Sequence, residues 1–181
     1  LLRSPQPDFS MAMSGNEQKI HAGTGRELSF TATRLDGYDG QIQIFAENLP
    51  DGFSISDPIQ IQEEQRQAFA TLVASADVMQ PNDEAVAKVM FKARTQINGI
   101  EVVHDIGGLK SLVLQEKPKI LVKILTTEQH ATGQMEHAPE LTVWAGETVR
   151  AWLKVDRLDH TGLVEFGKED AGRNMPHGVF V

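Results

Sequence analysis

The amino-acid sequence predicts an all-β chain, with an antiparallel β-sandwich over residues 1–115 and the first half of a second copy over residues 119–181. Three observations predict this fold class. Apolar and polar residues alternate over short segments, a pattern typical of strands with one buried face. Turn residues separate these segments at regular intervals. One long segment of the chain also recurs near its end, which indicates a duplicated unit.

The recurring segment spans Ala22–Ile55 and returns at Ala145–Val181. An Ala-Gly pair opens both copies, and Arg34-Leu35-Asp36 corresponds to Arg157-Leu158-Asp159. Gly40 then corresponds to Gly162 after one deleted residue, and residues 48–53 correspond to residues 174–179 after a short insertion. Because turn residues and alternate apolar positions coincide in the same order, we interpret the two segments as copies of one structural unit.

The first copy starts with an edge strand predicted at residues 9–13. The strand after Ala22-Gly23 follows, and its alternation places Leu28, Phe30 and Ala32 on one buried face. Residues 36–40 are rich in Asp and Gly, which tolerate the positive φ angles of a tight connection. The Leu49–Phe53 segment predicts a second turn, in which Pro fixes one dihedral angle and Gly permits another.

The remaining strands of the first copy are predicted to be short, at residues 58–62, 68–75, 86–94, 101–104 and 110–115. Their expected inward positions are Ala70, Leu72 and Ala74 in one strand, and Val89, Phe91 and Ala93 in another. Asn98-Gly99 predicts a two-residue hairpin turn. About seven strands with frequent turns are typical of an immunoglobulin-like antiparallel β-sandwich, whose usual size is about 100 residues.

The second copy is expected to be incomplete. Residues 116–118 form a short linker with a proline, and Ile120, Val122 and Ile124 begin the next module. About a dozen extra residues, within 126–140, precede its Ala-Gly pair. Both ends of the chain are expected to be cuts in a longer polypeptide. The inward residues Leu153, Val155, Val164 and Phe166 must then be covered by another domain of the polypeptide or by another chain.

This order of motifs resembles the tandem immunoglobulin-like β-sandwich repeats of large secreted bacterial proteins of the planctomycete type. The resemblance covers roughly residues 8–115 in full and residues 119–181 as the front half of another copy. It implies modules that serve as spacers, as adhesion units, or as appendages of an enzyme or cytochrome whose active domain lies elsewhere. It also implies an extracellular, periplasmic or cell-envelope location, and it carries no catalytic residue to this chain.

Composition excludes several classes of function. The formal net charge is −8 and the pI is near 5.2, which argues against a nucleic-acid partner because phosphates require a basic face. The chain contains no cysteine, so it has neither a disulfide nor a thiolate metal site. No apolar stretch approaches the length needed to cross a bilayer. The sequence contains no Gly-x-Ser-x-Gly, phosphate-binding loop or His-Glu-x-x-His motif, so we expect neither an enzyme nor a cofactor.

Two loops hold side chains that could bind a metal ion. Asp36 and Asp39 could contribute oxygen ligands to calcium, although Asp and Gly residues are also ordinary turn formers. His130, Glu136 and His137 share the inserted loop, but solvated loop residues are a simpler account because a metal needs several converging ligands. We therefore predict no metal site.

A ligand or partner contact is the remaining candidate site. Trp144 and Trp152 flank the second Ala-Gly pair, and Trp152 falls on the face predicted to point away from the core. An exposed tryptophan can stack on a sugar ring or on a protein surface. Packing against a neighbouring module is the competing interpretation. The residues of this candidate contact are Trp144, Trp152, His130 and His137.

Overall fold

A computed structural model of the chain describes residues 4–133 and 141–165. These residues fall into two compact units, Leu1–Lys117 and Pro118–Val181.

The described part of the first unit contains ten strands and one short helix. They are β1 (Asp8–Ser14), β2 (Glu17–His21), β3 (Gly25–Leu35), β4 (Ile42–Glu47), β5 (Phe53–Ile55), β6 (Ile59–Ile61), β7 (Gln67–Ala74), α1 (Asp83–Ala87), β8 (Met90–Ile97), β9 (Ile100–Gly107) and β10 (Ser111–Gln115). The all-β class predicted from the sequence is confirmed.

The strands form two four-stranded antiparallel sheets, with the orders β1-β3-β7-β5 and β6-β4-β8-β9. Strands β2 and β10 form a separate two-stranded sheet and run parallel to each other. The strand predicted at residues 110–115 therefore exists, but it pairs with β2, a strand that the alternation of apolar residues did not reveal.

The hydrophobic core lies between the two four-stranded sheets. Leu28, Phe30 and Ala32 of β3 are buried, as their alternation predicts. In β7 the residues at alternate positions, Ala68, Ala70, Leu72 and Ala74, are buried as well. Phe30 meets Phe91 of β8 from the opposite sheet, with ring centroids 5.5 Å apart. One continuous apolar cluster therefore holds the two sheets together.

The prediction of a strand at residues 86–94 is wrong for residues 86–89, since β8 begins only at Met90. Residues 83–87 form α1, whose first turn is capped by Asn82 because the Asn82 side chain accepts a hydrogen bond of 2.7 Å from the Ala85 amide. Asp83 and Glu84 in that first turn favour a helix N-terminus. Val86 is buried in the helix, whereas a strand over these residues would have placed it on the face opposite Val89 and Phe91.

Two predicted turns form as the residue types require. Asn98 and Gly99 both have positive φ angles, +53° and +79°, and they connect β8 to β9 as a tight hairpin. Asp36 and Gly37 also have positive φ angles, and the Tyr38 amide donates to the Leu35 carbonyl at 3.0 Å. The side chain of Tyr38 then turns inward and packs against Phe9, with ring centroids 5.8 Å apart.

The described part of the second unit contains β11 (Ile120–Leu125), α2 (Thr127–Thr132) and β12 (Trp152–Arg157). Strands β11 and β12 pair antiparallel over their full lengths. Helix α2 lies in the segment predicted to be an inserted loop. It is closed at its start by a capping box between Thr126 and Gln129 and at its end by Gly133 in the left-handed region.

Candidate interaction site

The pairing of β11 with β12 repeats the pairing of β1 with β3. Phe9 faces Arg34 in the first unit, and Ile120 faces Arg157 in the second. Met13 faces Phe30, and Ile124 faces Leu153. The residues aligned between the two copies by sequence thus occupy the same positions in the two ladders.

The loops at both ends of these strands repeat as well. The Thr24 amide donates to the His21 carbonyl at 3.1 Å, and the Glu147 amide donates to the Trp144 carbonyl at 2.9 Å. Gly23 and Gly146 lie inside these two turns with φ angles of +74° and +83°. Because only glycine adopts this region without strain, the Ala-Gly pair is explained by turn geometry.

An arginine near the C-terminal end of β3, and another at the end of β12, binds a carbonyl of the loop that follows the strand. Arg34 Nη1 donates to the Gly40 carbonyl at 2.6 Å, and Arg157 Nη1 donates to the Gly162 carbonyl at 2.5 Å. Gly40 and Gly162 are the two glycines that the sequence alignment pairs. Both units therefore hold the chain after the strand with the same charge-assisted hydrogen bond.

The apolar face of the β11–β12 ladder is exposed to solvent at a position where the β1–β3 ladder of the first unit is buried. Phe30 is 0% exposed, whereas Leu153 at the corresponding position is 43% exposed. Val122 and Ile124 on the same face are also about half exposed. Large apolar side chains next to one another on a sheet surface are typical of an interaction site.

The opposite face of β12 brings together two of the four predicted contact residues. Trp152 stacks on His130 of α2, with ring centroids 4.0 Å apart and an interplanar angle of 12°. Leu125, which faces Trp152 across the ladder, is buried. One face of the indole ring is thus covered by an imidazole, so a ligand could stack on the other face only.

The other two predicted contact residues do not join this stack. Trp144 lies at the turn before β12 and is 70% exposed. His137 and Glu136 lie outside the described residues. Sequence reasoning missed Lys154 and Asp156, which stand on the Trp152 face of β12 and form an ion pair at 3.4 Å. The alternation of these two charged residues with Leu153 and Val155 along β12 was the sequence signal that could have identified them.

The two aspartates considered as calcium ligands make hydrogen bonds in the first unit, Asp36 through its carboxylate and Asp39 through its backbone carbonyl only. The Asp36 carboxylate accepts a hydrogen bond from the Gln6 amide at 2.9 Å, and the Asp39 carbonyl accepts one from the Glu64 amide at 2.9 Å. Over residues 4–133 and 141–165, no three His, Asp or Glu side chains come close enough together to hold a metal ion.

The Asp8 carboxylate has a perturbed acidity. His104 Nε2 lies 2.7 Å from Asp8 Oδ1, and this hydrogen bond, with a second from the Phe9 amide, lowers the pKa of Asp8 below its ordinary value. The pair lies at the edge of a shallow, open depression lined in part by Pro7 and Leu35. The hydrogen bond links β1 of one sheet to β9 of the other, so it has a structural role.

Within the described residues, no helix is long and apolar enough to span a membrane. Comparison of the chain with known protein families and with characterised proteins finds no match.

Proposed function

We propose that this chain is a non-catalytic structural module of the immunoglobulin-like β-sandwich type, followed by the front half of a second such module. It would act as a spacer or adhesion-type repeat in a larger exported bacterial protein, outside the cytoplasm or in the cell envelope. The observation that carries the proposal is the repetition of the β1–β3 ladder, with its turn and its arginine anchor, in β11–β12.

The strand order of the first unit supports the sandwich type. In immunoglobulin constant-type domains, strands A, B, E and D form one sheet, while strands C, F and G form the other. The sheet β1-β3-β7-β5 matches the first set in chain order, and β4-β8-β9 matches the second. Strand β6 adds an edge beside β4.

The pairing of β2 with β10 supports a load-bearing role. These two strands lie near the two ends of the first unit and run parallel, with Glu17 facing Ser111 and His21 facing Gln115. A pull on the two ends of the unit loads β1 first, and beyond β1 it draws β2 and β10 in opposite directions along their length. The hydrogen bonds of a parallel pair are evenly spaced along the strands, so this pull loads them together rather than one at a time.

The Leu112→Ala variant tests this role in single-molecule force spectroscopy of the full chain. Leu112 of β10 is 3% exposed, and its truncation weakens the packing of the β2–β10 pair. We expect a loss of about 2–5 kcal/mol in unfolding free energy, together with a clear drop in the force at which the first unit opens.

Leu72→Ala is the matched control, because Leu72 is equally buried but lies in β7, away from the β2–β10 pair. It should cost a similar free energy while lowering the opening force less. Equal drops in force for the two variants would contradict the load-bearing role of the pair.

A second candidate function is recognition of a glycan or a protein through Trp144, Trp152 and the 126–140 segment. The 70% exposure of Trp144 favours it, because a ring that is free of packing is available for stacking. If the chain binds glycans through this ring, Trp144→Ala should abolish binding on a glycan array. Exposed Leu163→Ala in the same unit is the control and should bind normally. A wild-type chain without any glycan signal would remove glycan recognition from this candidate function.

A further inference from the structure

The side chain of Gln80 binds the backbone of β10 in the way that a neighbouring strand would. Its Nε2 donates to the Leu112 carbonyl at 2.8 Å, and its Oε1 accepts from the Leu114 amide at 2.6 Å. Residues two apart in a strand present their backbone groups to the same edge, and the single hydrogen of the Leu114 amide is used by Gln80. Strand β10 is thus held on both edges, by β2 on one and by Gln80 on the other.

The orientation of the Gln80 amide follows from its partners. Strand β10 offers an acceptor at Leu112 and a donor at Leu114, so the amide nitrogen must face the first and the amide oxygen the second. The Nε2 group also donates to the Pro81 carbonyl at 3.0 Å. Both hydrogens and the oxygen of the amide are therefore engaged, which holds the side chain in one orientation.

The loop that carries Gln80 is anchored on both sides. Before Gln80, the side chain of Val78 packs against the hydrophobic core of the first unit. After it, the side chain of Asn82 caps α1, in which Val86 is buried. Pro81 lies between Gln80 and this cap, and its ring fixes the φ angle there. An exposed glutamine thus stands on a backbone that the core holds in place.

We propose that Gln80 is a positioning residue of the load-bearing β2–β10 pair, and that it keeps β10 in register while the pair is under tension. The inference rests on the proposed function of that pair. The chain continues from the end of β10 into the second unit, so a pull from that side draws β10 along its own length. Gln80 would then hold β10 from the edge that β2 does not reach.

The alternation of backbone groups along β10 explains why Gln80 opposes this movement. A shift of β10 by one residue would bring Val113 next to Gln80 in place of Leu112 or Leu114. The backbone groups of Val113 point to the opposite edge of the strand, so neither bond of Gln80 could form. The two bonds of Gln80 therefore break in the same movement that breaks the β2–β10 ladder.

Single-molecule force spectroscopy of the full chain tests the proposal with Gln80→Met. Methionine keeps the length of the side chain and removes both bonds to β10. At a fixed force, we expect the first unit to open about three- to tenfold faster than in the wild type. Gln67→Met is the matched control, because the Gln67 amide donates to Ser29 Oγ at 2.8 Å between β7 and β3, away from the β2–β10 pair. It should change the opening rate by less than about twofold.

Unfolding in urea separates positioning under load from a general contribution to stability. Without force, no direction of pull selects the shift of β10, so Gln80→Met should accelerate unfolding in urea less than it accelerates opening under force. A bond with a merely structural role would accelerate both to the same extent, and that result would overturn the inference. Equal opening rates for Gln80→Met and Gln67→Met would overturn it as well.

Gln80→Glu tests the bond to Leu112 alone. At neutral pH the new carboxylate still accepts from the Leu114 amide, but it has no hydrogen to donate to the Leu112 carbonyl. Below the ordinary pKa of a glutamate side chain, the protonated carboxyl group can donate again. The opening rate of this variant, divided by the wild-type rate at each pH, should exceed one at pH 7 and return toward one in acid. A ratio that does not fall in acid would contradict the proposal.

The Leu112→Ala measurement separates this inference from the proposed function. If Leu112→Ala lowers the opening force more than Leu72→Ala does, while Gln80→Met leaves the opening rate unchanged, the β2–β10 pair bears load without Gln80. In that case this inference alone fails. If Leu112→Ala lowers the force no more than Leu72→Ala, the load-bearing role of the pair fails, and the role of Gln80 fails with it.

Discussion

The Phe30→Ala variant should lose about 3–5 kcal/mol of unfolding free energy in the first unit. Phe30 is 0% exposed and meets Phe91 across the two sheets, so its removal leaves a cavity in the middle of the core. Leu153→Ala changes the corresponding position of the second unit. Because Leu153 is 43% exposed, its truncation should cost less than about 1 kcal/mol.

Two optical signals separate the units in a urea titration. Both tryptophans of the chain lie in the second unit, so indole fluorescence follows that unit, and far-UV circular dichroism is dominated by the strands of the first. Phe30→Ala should lower the midpoint of the dichroism transition without moving the fluorescence transition. If Leu153→Ala costs as much as Phe30→Ala, the apolar face of β11–β12 is covered in solution.

Strong alternation let the sequence predict the central strands. In β7 every second residue is a buried apolar residue, and in the middle of β3 the alternate residues Leu28, Phe30 and Ala32 are buried, so the pattern predicted these strands and their inward faces. The Asn98-Gly99 hairpin was equally predictable, because its two positive φ angles require those residue types. Local chemistry was sufficient for these elements.

Strand β2 shows where local chemistry was insufficient. One of its inward positions is Gln18, which is 5% exposed and donates hydrogen bonds to the carbonyls of Gly15 and Glu27. A buried glutamine breaks the alternation of apolar residues, so the strand is hidden from a pattern search. Its partner β10 lies about 90 residues away in sequence, and only the folded chain brings the two together.

The candidate site was predictable in part. Alternation along β12 correctly placed Trp152 on the face opposite Leu153. The stack of Trp152 on His130 could not be predicted, because it depends on the short helix α2 and its capping box. The charged face of β12 was predictable from the sequence, since Lys154 and Asp156 alternate with the apolar residues Leu153 and Val155.

Arg34 holds three loop carbonyls at once, and its removal should be the most costly polar change in the first unit. Its Nε donates to Gln65 at 3.0 Å, Nη1 to Gly40 at 2.6 Å and Nη2 to Gln62 at 2.9 Å. Arg34→Met keeps much of the aliphatic stem but removes all three donors. We expect a loss of about 2–3 kcal/mol in the dichroism-detected transition.

Arg157→Met is the matched change in the second unit and should cost under about 1 kcal/mol. Arg157 is exposed and its one short bond is to the Gly162 carbonyl, which water can satisfy once the arginine is gone. Arg34→Lys should recover less than half of the loss at Arg34, because an ammonium cannot reach three separate carbonyls as a planar guanidinium does. Equal losses for Arg34→Met and Arg157→Met would mean that the second unit encloses its arginine as the first does, and that β11 and β12 belong to a closed module in solution.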